Sequence, residues 1–143
     1  MKLPIKLTPE AKKPEQANAH DAGLDLFASK RTKIGNILTY DTGVSVAIPE
    51  GHVGLLFPRS SICKYDLELC NSVGVIDSGY RGTIQAKFRE LVPNDFTKKP
   101  KIYNLGDKIC QLVIVPISSV ELDFVDSLPK SERGENGFGS SGN

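Results

Sequence analysis

Apolar residues recur along the chain in short runs or in alternation: Ile37, Val44-Val46-Ile48, Val53-Leu55-Leu56-Phe57, Val73-Val75-Ile76, Ile84-Ala86-Phe88 and Leu112-Val113-Ile114-Val115. Successive side chains point to opposite faces of a strand, so runs of this length and period predict β-strands. Turn-forming clusters separate them at Asp41-Thr42-Gly43, Pro49-Glu50-Gly51, Asp77-Ser78-Gly79 and Asn104-Leu105-Gly106-Asp107, a spacing that suits a sandwich, jelly roll or barrel. The fold class read from this pattern is all-β. Only the stretch from Ser60 to Tyr65 is free enough of breakers for a short helix. The body is expected to span residues 1–128. From Pro129 to Asn143 the only large apolar residue is Phe138, among four glycines and three serines, so residues 129–143 read as a flexible arm that burial cannot anchor.

Composition narrows the function. A chain of 143 residues makes one domain, with a core that needs neither disulfides nor a structural metal. Eighteen Lys and Arg against seventeen Asp and Glu leave a net charge of +1, without the broad cationic field of a duplex-DNA binder, so no nucleic acid partner is expected. No apolar run reaches membrane-spanning length, and Met1-Lys2-Leu3-Pro4-Ile5-Lys6 lacks a signal-peptide pattern. The expectation is a soluble cytoplasmic protein without a membrane partner, a nuclear or viral setting being left open. Cys63, Cys70 and Cys110, odd in number and without a C-x-x-C pair, read as reduced thiols.

Four segments carry candidate chemistry. Phe57-Pro58-Arg59-Ser60-Ser61 puts an arginine and two hydroxyls where a strand gives way to a short helix, a plausible phosphate cradle; an arginine paired to a carboxylate, with Ser60 as helix cap, is an equal reading. Asn71 to Gly82 reads as strand, tight turn and returning strand, a hairpin tip that presents backbone amides to a flat ligand and fixes Asp77 and Tyr80. Taken alone, Asp77 is equally a turn residue and Tyr80 a packed aromatic. Asp21-Ala22-Gly23-Leu24-Asp25-Leu26 offers two carboxylates near a strand start, with Asp25 on the solvent face by alternation. Gly137-Phe138-Gly139-Ser140-Ser141-Gly142 fits G-x-G-x-x-G as a string, but a dinucleotide fingerprint must open a helix, for which Asn143 alone remains. Flexible glycines beside hydroxyls and Arg133 suit wrapping around phosphate instead. His20 and His52 read as surface residues.

In this order the segments resemble the five motifs of the trimeric dUTPase family, the fourth being Gly106-Asp107-Lys108-Ile109-Cys110-Gln111-Leu112 and the fifth running from Arg133 to Gly142. The resemblance implies a jelly-roll-like β-clip fold with one short helix, a homotrimer with shared sites, and Mg²⁺-dependent cleavage of dUTP to dUMP and pyrophosphate. Such a reaction limits uracil in DNA and supplies dUMP for thymidylate synthesis. The resemblance assigns the general base to Asp77 and the deoxyribose wall to Tyr80. Uracil recognition falls to Asn71 with backbone groups of Gly74, Val75 and Ile76. Arg59, Ser60, Ser61 and Gln111 would hold the triphosphate, and Asp25 would hold Mg²⁺ through water. From the arm, Phe138 would cover uracil while Arg133, Ser140 and Ser141 reach the terminal phosphate. Asn136 stands where many members have glycine, and Gly79 where many have aspartate. The related dCTP deaminases carry a catalytic glutamate ten residues beyond this aspartate, where Lys87 cannot take and return a proton in the same way. A regulatory module that uses this fold to bind an unknown protein partner is the second alternative.

Overall fold

The computed structural model describes residues 1–93 and 97–137. Its strands are β1 (Ile5–Leu7), β2 (Leu24–Phe27), β3 (Lys30–Ile34), β4 (Ile37–Asp41), β5 (Val44–Val46), β6 (His52–Pro58), β7 (Leu67–Leu69), β8 (Gly74–Ile76), β9 (Gln85–Glu90) and β10 (Lys108–Pro116). One four-stranded sheet has the order β2-β10-β6-β8, a second the order β3-β4-β9-β7, and β1 pairs with β5. All these pairings are antiparallel. The result is the all-β class that the alternating pattern predicts, in the jelly-roll-like form that the resemblance implies, with a 3₁₀ helix at Ser60–Lys64 as the short helix.

The core lies where the alternating strands face inward: Leu38 and Tyr40 from β4, Ala86 and Phe88 from β9, Leu67 and Leu69 from β7, Leu26 from β2, and Cys110 and Leu112 from β10. Its centre is aromatic. Tyr103 meets Tyr40 at 6.1 Å, Phe88 at 5.7 Å and Tyr65 at 4.1 Å between ring centroids, the first two edge-on as ring quadrupoles favour. The Tyr103 carbonyl accepts from the Tyr40 hydroxyl at 2.9 Å and from Arg31 at 3.1 Å, which satisfies polar groups the core would otherwise strand. Cys63, Cys70 and Cys110 are free thiols, and burial pushes the Cys110 thiol well above its ordinary range.

Three features differ from the sequence reading. Residues 73–88 do not form a hairpin: β8 pairs with β6, whereas β9 pairs with β4 and β7 in the other sheet. The segment is a corner between sheets, because the buried Ile84, Ala86 and Phe88 commit the returning strand to the opposite side of the core. Secondly, β3 has every residue exposed and so carries no apolar alternation; its ladder to β4 alone makes it a strand. Thirdly, regular structure ends at Pro116, twelve residues before Leu128, and every residue from Pro116 to Asn136 is exposed. Ile117, Val120, Leu122, Phe124, Val125 and Leu128 are therefore apolar yet uncovered.

The Tyr103 hydroxyl is buried without a hydrogen-bond partner among the described residues. Burial, helped by Tyr65, raises its pKa from 10.0 to about 12, with Ser61 beside it offsetting part of the rise. Between those values the unfolded chain has given up a proton that the folded chain keeps, so stability is intact below pH 10 and falls as pH rises toward 12. Tyr103→Phe removes both the unpaired hydroxyl and this alkaline loss. Denaturant titration at neutral pH is expected to show stability equal to or up to about 1 kcal/mol above wild type, with a flatter profile above pH 10.

Candidate active site

Asp25 lies on β2 directly opposite Gln111 of β10, which in turn is opposite Phe57 of β6. Contrary to the solvent-face expectation, Asp25 is only 8% exposed. Both faces of β2 are covered: Leu26 packs into the core, while on the other side Arg59 and Lys108 meet Asp25 and Lys12 and Lys108 lie over the Phe27 ring; Glu15 closes the strand's edge by a backbone bridge to Asp25. The Asp25 carboxylate accepts from Arg59 Nε at 2.9 Å and pairs with Lys108 Nζ at 3.1 Å. Lys108 also reaches Glu15 at 3.1 Å, and these two carboxylates raise the pKa of its ammonium.

Around this ion cluster lies a polar pocket lined by Ala17, Asp21, Ala22, Gly23, Asp25, Arg59, Ser60 and Gln111. Local geometry explains its shape. Gly23 admits the Gln111 side chain, since a Cβ there would fall 2.5 Å from Gln111 Oε1. Gln111 Nε2 donates to the Pro58 carbonyl at 3.1 Å, which ties β10 to the start of the Arg59-Ser60-Ser61 turn. Arg59 is extended and precedes the 3₁₀ helix without a side-chain cap, so the exposed Ser60 hydroxyl is not consumed in capping. Ser61 sits under this turn, against the Tyr103 hydroxyl. An arginine, a hydroxyl and an amide at one opening, with Asp25 already paired to Arg59 and Lys108, can bind a polyanion.

A second pocket is lined by Val75, Ile76, Asp77, Tyr80, Ile84 and Gln85. β8 is the edge strand of its sheet, so one row of its backbone groups is free to read a flat ligand. Asp77 is exposed, its carbonyl accepts from the Tyr80 amide at 3.0 Å, and no described side chain is bonded to its carboxylate. The Tyr80 hydroxyl donates to the Thr83 carbonyl at 3.0 Å. Asn71 is exposed just before β8, its amide within 3.5 Å of where a Gly74 side chain would start.

The structure thus brings Asp25, Arg59, Ser60 and Gln111 together in one pocket, and Val75, Ile76, Asp77 and Tyr80 in another, with no shared lining residue. Arg133 lies in the exposed segment, in a turn closed by its Nε on the Asn136 carbonyl at 2.8 Å. Phe138, Ser140 and Ser141 lie outside the described residues. Lys87 is exposed on β9. The sequence reading gave no role to Gln85, which lines the second pocket, or to Lys108, which pairs with Asp25; a cross-strand match of Lys108 to the Asp25 side of β2 was the available signal, hidden by the register shift between Lys108 and Cys110.

An all-β body with one opening for polyanions and another, acid-bearing opening at a free strand edge defines a nucleotide-hydrolase type of site. The dUTPase family model matches residues 9–142. Deoxyuridine 5'-triphosphate nucleotidohydrolase of Leifsonia xyli is 41% identical over 132 residues, covering 90% of this chain and 84% of that protein. The enzyme of that name from Escherichia phage T5 is 39% identical, covering 98% of each. Staphylococcus bacteriophage 80alpha dUTPase with dUPNHPP superposes with a TM-score of 0.84 at 32% identity over 99% of each chain. The chain belongs to the dUTPase family, and is an enzyme of that family.

The buried ion cluster predicts its own signature. Asp25→Ala leaves Arg59 and Lys108 facing each other, but both keep about a third of the side chain in solvent (31% and 29%) and can turn outward. The expected cost is about 2 kcal/mol by denaturant titration, below the 3–5 kcal/mol typical of breaking a fully buried pair.

Proposed function

We propose that the chain hydrolyses dUTP to dUMP and pyrophosphate by attack of water on the α-phosphorus, at sites shared between the subunits of a homotrimer. The observation that carries the shared site is the position of the two pockets on one sheet. Ile76, the residue before Asp77, is level with Gly54, whereas Arg59 lies past the far end of β6. Five residues of strand separate those levels, about 17 Å at 3.4 Å per residue. Arg59 moreover turns across β10 toward Asp25 on the opposite edge, away from β8. This separation supports a site in which a neighbour's Asp77 is brought to the Arg59 of this chain. The exposed apolar residues between Ile117 and Leu128 support the same reading, since an uncovered stretch of this kind calls for another chain to cover it.

In the complete site, Asp77 takes the proton of the attacking water. Asn71 and the free edge of Gly74, Val75 and Ile76 bind the uracil edge, and cytosine is rejected because its amine puts a donor where uracil has an acceptor. Tyr80 walls the deoxyribose against a 2′-hydroxyl. Arg59, Ser60, Ser61 and Gln111 hold the phosphates. Residues 129–143 act as the arm, with Phe138 over uracil and Arg133, Ser140 and Ser141 at the terminal phosphate. Among the described residues no cluster of three metal-ligating side chains exists, but Mg²⁺ characteristically keeps its waters and uses one or two carboxylates plus substrate phosphates. Asp21 and Asp25 beside the polyanion pocket fit that role, with Asp25, committed to Arg59 and Lys108, acting through water. The ion supplies neutralisation of charge on the leaving pyrophosphate. A structural Mg(II) ion is coordinated in a dUTPase variant from phage phi11 of S. aureus, which matches at 30% identity with a TM-score of 0.74. The product dUMP feeds thymidylate synthesis, and removal of dUTP keeps uracil out of DNA. Among the described residues no helix is long and apolar enough to cross a membrane.

Pyrophosphate release is expected from dUTP, with little from dTTP, dCTP or UTP; comparable kcat/KM on dCTP would refute the uracil site. Asp77→Asn is expected to lower kcat by ~10²–10⁴ with nucleotide binding retained. Shared sites are tested by mixing Asp77→Asn chains with chains truncated after Glu132. If the subunits exchange at random, about one quarter of sites recover an intact Asp77 and an intact arm together. Activity no greater than the sum of the two separate variants, with trimers and exchange verified, would show that each site is built within one chain.

A further inference from the structure

Tyr80 is an exposed aromatic, 44% accessible, and packing alone does not fix it. The ring folds back over Gly82, where a Cβ would fall 2.4 Å from its hydroxyl, and that hydroxyl donates to the Thr83 carbonyl at 3.0 Å. Arg81 Nη1 donates to the carbonyls of Ser78 and Tyr80 at 2.6 and 2.8 Å. These bonds hold the shape of the corner but not its place on the body. Placement comes from the next three residues. Thr83 Oγ1 donates to Asp41 Oδ2 at 2.8 Å, and Gln85 Nε2 donates to the same oxygen at 3.2 Å. Between them, the Ile84 carbonyl accepts from both the amide and the hydroxyl of Thr42. Asp41 is itself fixed, because Oδ1 accepts from the Gly43 amide at 2.7 Å and Gly43 adopts φ +67°, a turn that an L-residue resists.

Asp41 does not line the corner pocket, yet Gln85 and Tyr80, the two groups it controls directly and through Thr83, both do. We propose that Asp41 is a positioning residue that sets the sugar-facing wall of this pocket through Thr83 and Gln85, and thereby the discrimination between deoxyribose and ribose. The inference rests on the dUTP-hydrolase reading above, in which Tyr80 excludes the 2′-hydroxyl. A wall excludes one extra oxygen only while it cannot recede, and an ångström of slack is enough to admit it. Cutting the Asp41–Thr83 bond gives the Tyr80 tether that slack without touching any group that contacts the nucleotide.

The test measures kcat/KM for dUTP and UTP in wild type, Thr83→Val, Thr83→Ser and Asp41→Ala. Thr83→Val keeps shape and backbone but loses the hydroxyl. It is expected to lower the dUTP-over-UTP ratio about tenfold, chiefly by a lower KM for UTP, with kcat on dUTP within about twofold of wild type. Thr83→Ser keeps the bond and is expected to keep the wild-type ratio; Asp41→Ala frees Gln85 as well and should lower it further. A ratio unchanged in Thr83→Val, or an equal loss on both nucleotides as a purely structural role would give, overturns the inference. Should Asp41→Ala fail to fold, the valine and serine pair still decides. Wild-type protein inactive on dUTP would instead overturn the function itself, a result visible before any variant is made.

Discussion

A single buried carboxylate organises the phosphate side of this protein. Asp25 joins β2 to the turn after β6 through Arg59 and to the start of β10 through Lys108, so three segments distant in sequence meet at one charge. Two cations and two carboxylates, Asp25 and Glu15, leave the cluster neutral as a whole, with Glu15 held on the Lys108 side. Arg59 is already aimed and partly desolvated by its pairing with Asp25, which would limit the ordering cost of binding a polyanion in the proposed role. The same arrangement keeps Asp25 from approaching a phosphate as a bare negative charge, because its oxygens are occupied by its own partners.

The second organising constraint is topological. Placing β8 at the edge of the sheet leaves backbone groups free to recognise a base, but it also sets that edge far from the arginine turn. The two pockets are thus separated within the chain, and the proposed function needs assembly to bring them together. On the proposed shared-site reading, neither half site turns over nucleotide alone, and the exposed stretch after Pro116 is the part of the chain that gains most from assembly.

The sequence made the central strands legible because each has one buried face: Leu38 and Tyr40, Ala86 and Phe88, Leu67 and Leu69 alternate with exposed neighbours. It concealed β3, whose residues all face solvent, and it made β8 and β9 look like one hairpin because partner choice is a long-range matter that local turn chemistry does not encode. The same limit governed the site. Arg59 and Asp77 stood out by residue type and setting and Gln111 through the motif resemblance, whereas the burial of Asp25 depends on Arg59 and Lys108 closing over its carboxylate, which reverses what alternation implies. Lys108 and Gln85 were hidden for the related reason that their importance lies in what lies across the sheet from them.

The four lateral edges of the two main sheets are treated unequally. The β2 edge is closed by the Glu15 bridge, β7 is three residues long, and β3 carries Lys30, Arg31 and Lys33. Two copies meeting along β3 would set these cations against their own counterparts, so edge-to-edge stacking into open-ended ribbons is repelled there. β8, as short as β7, is the other edge of the first sheet, and a flat ligand lying on it would shield that edge as well. On the proposed reading of that edge, a bound nucleotide also guards it against pairing with another strand.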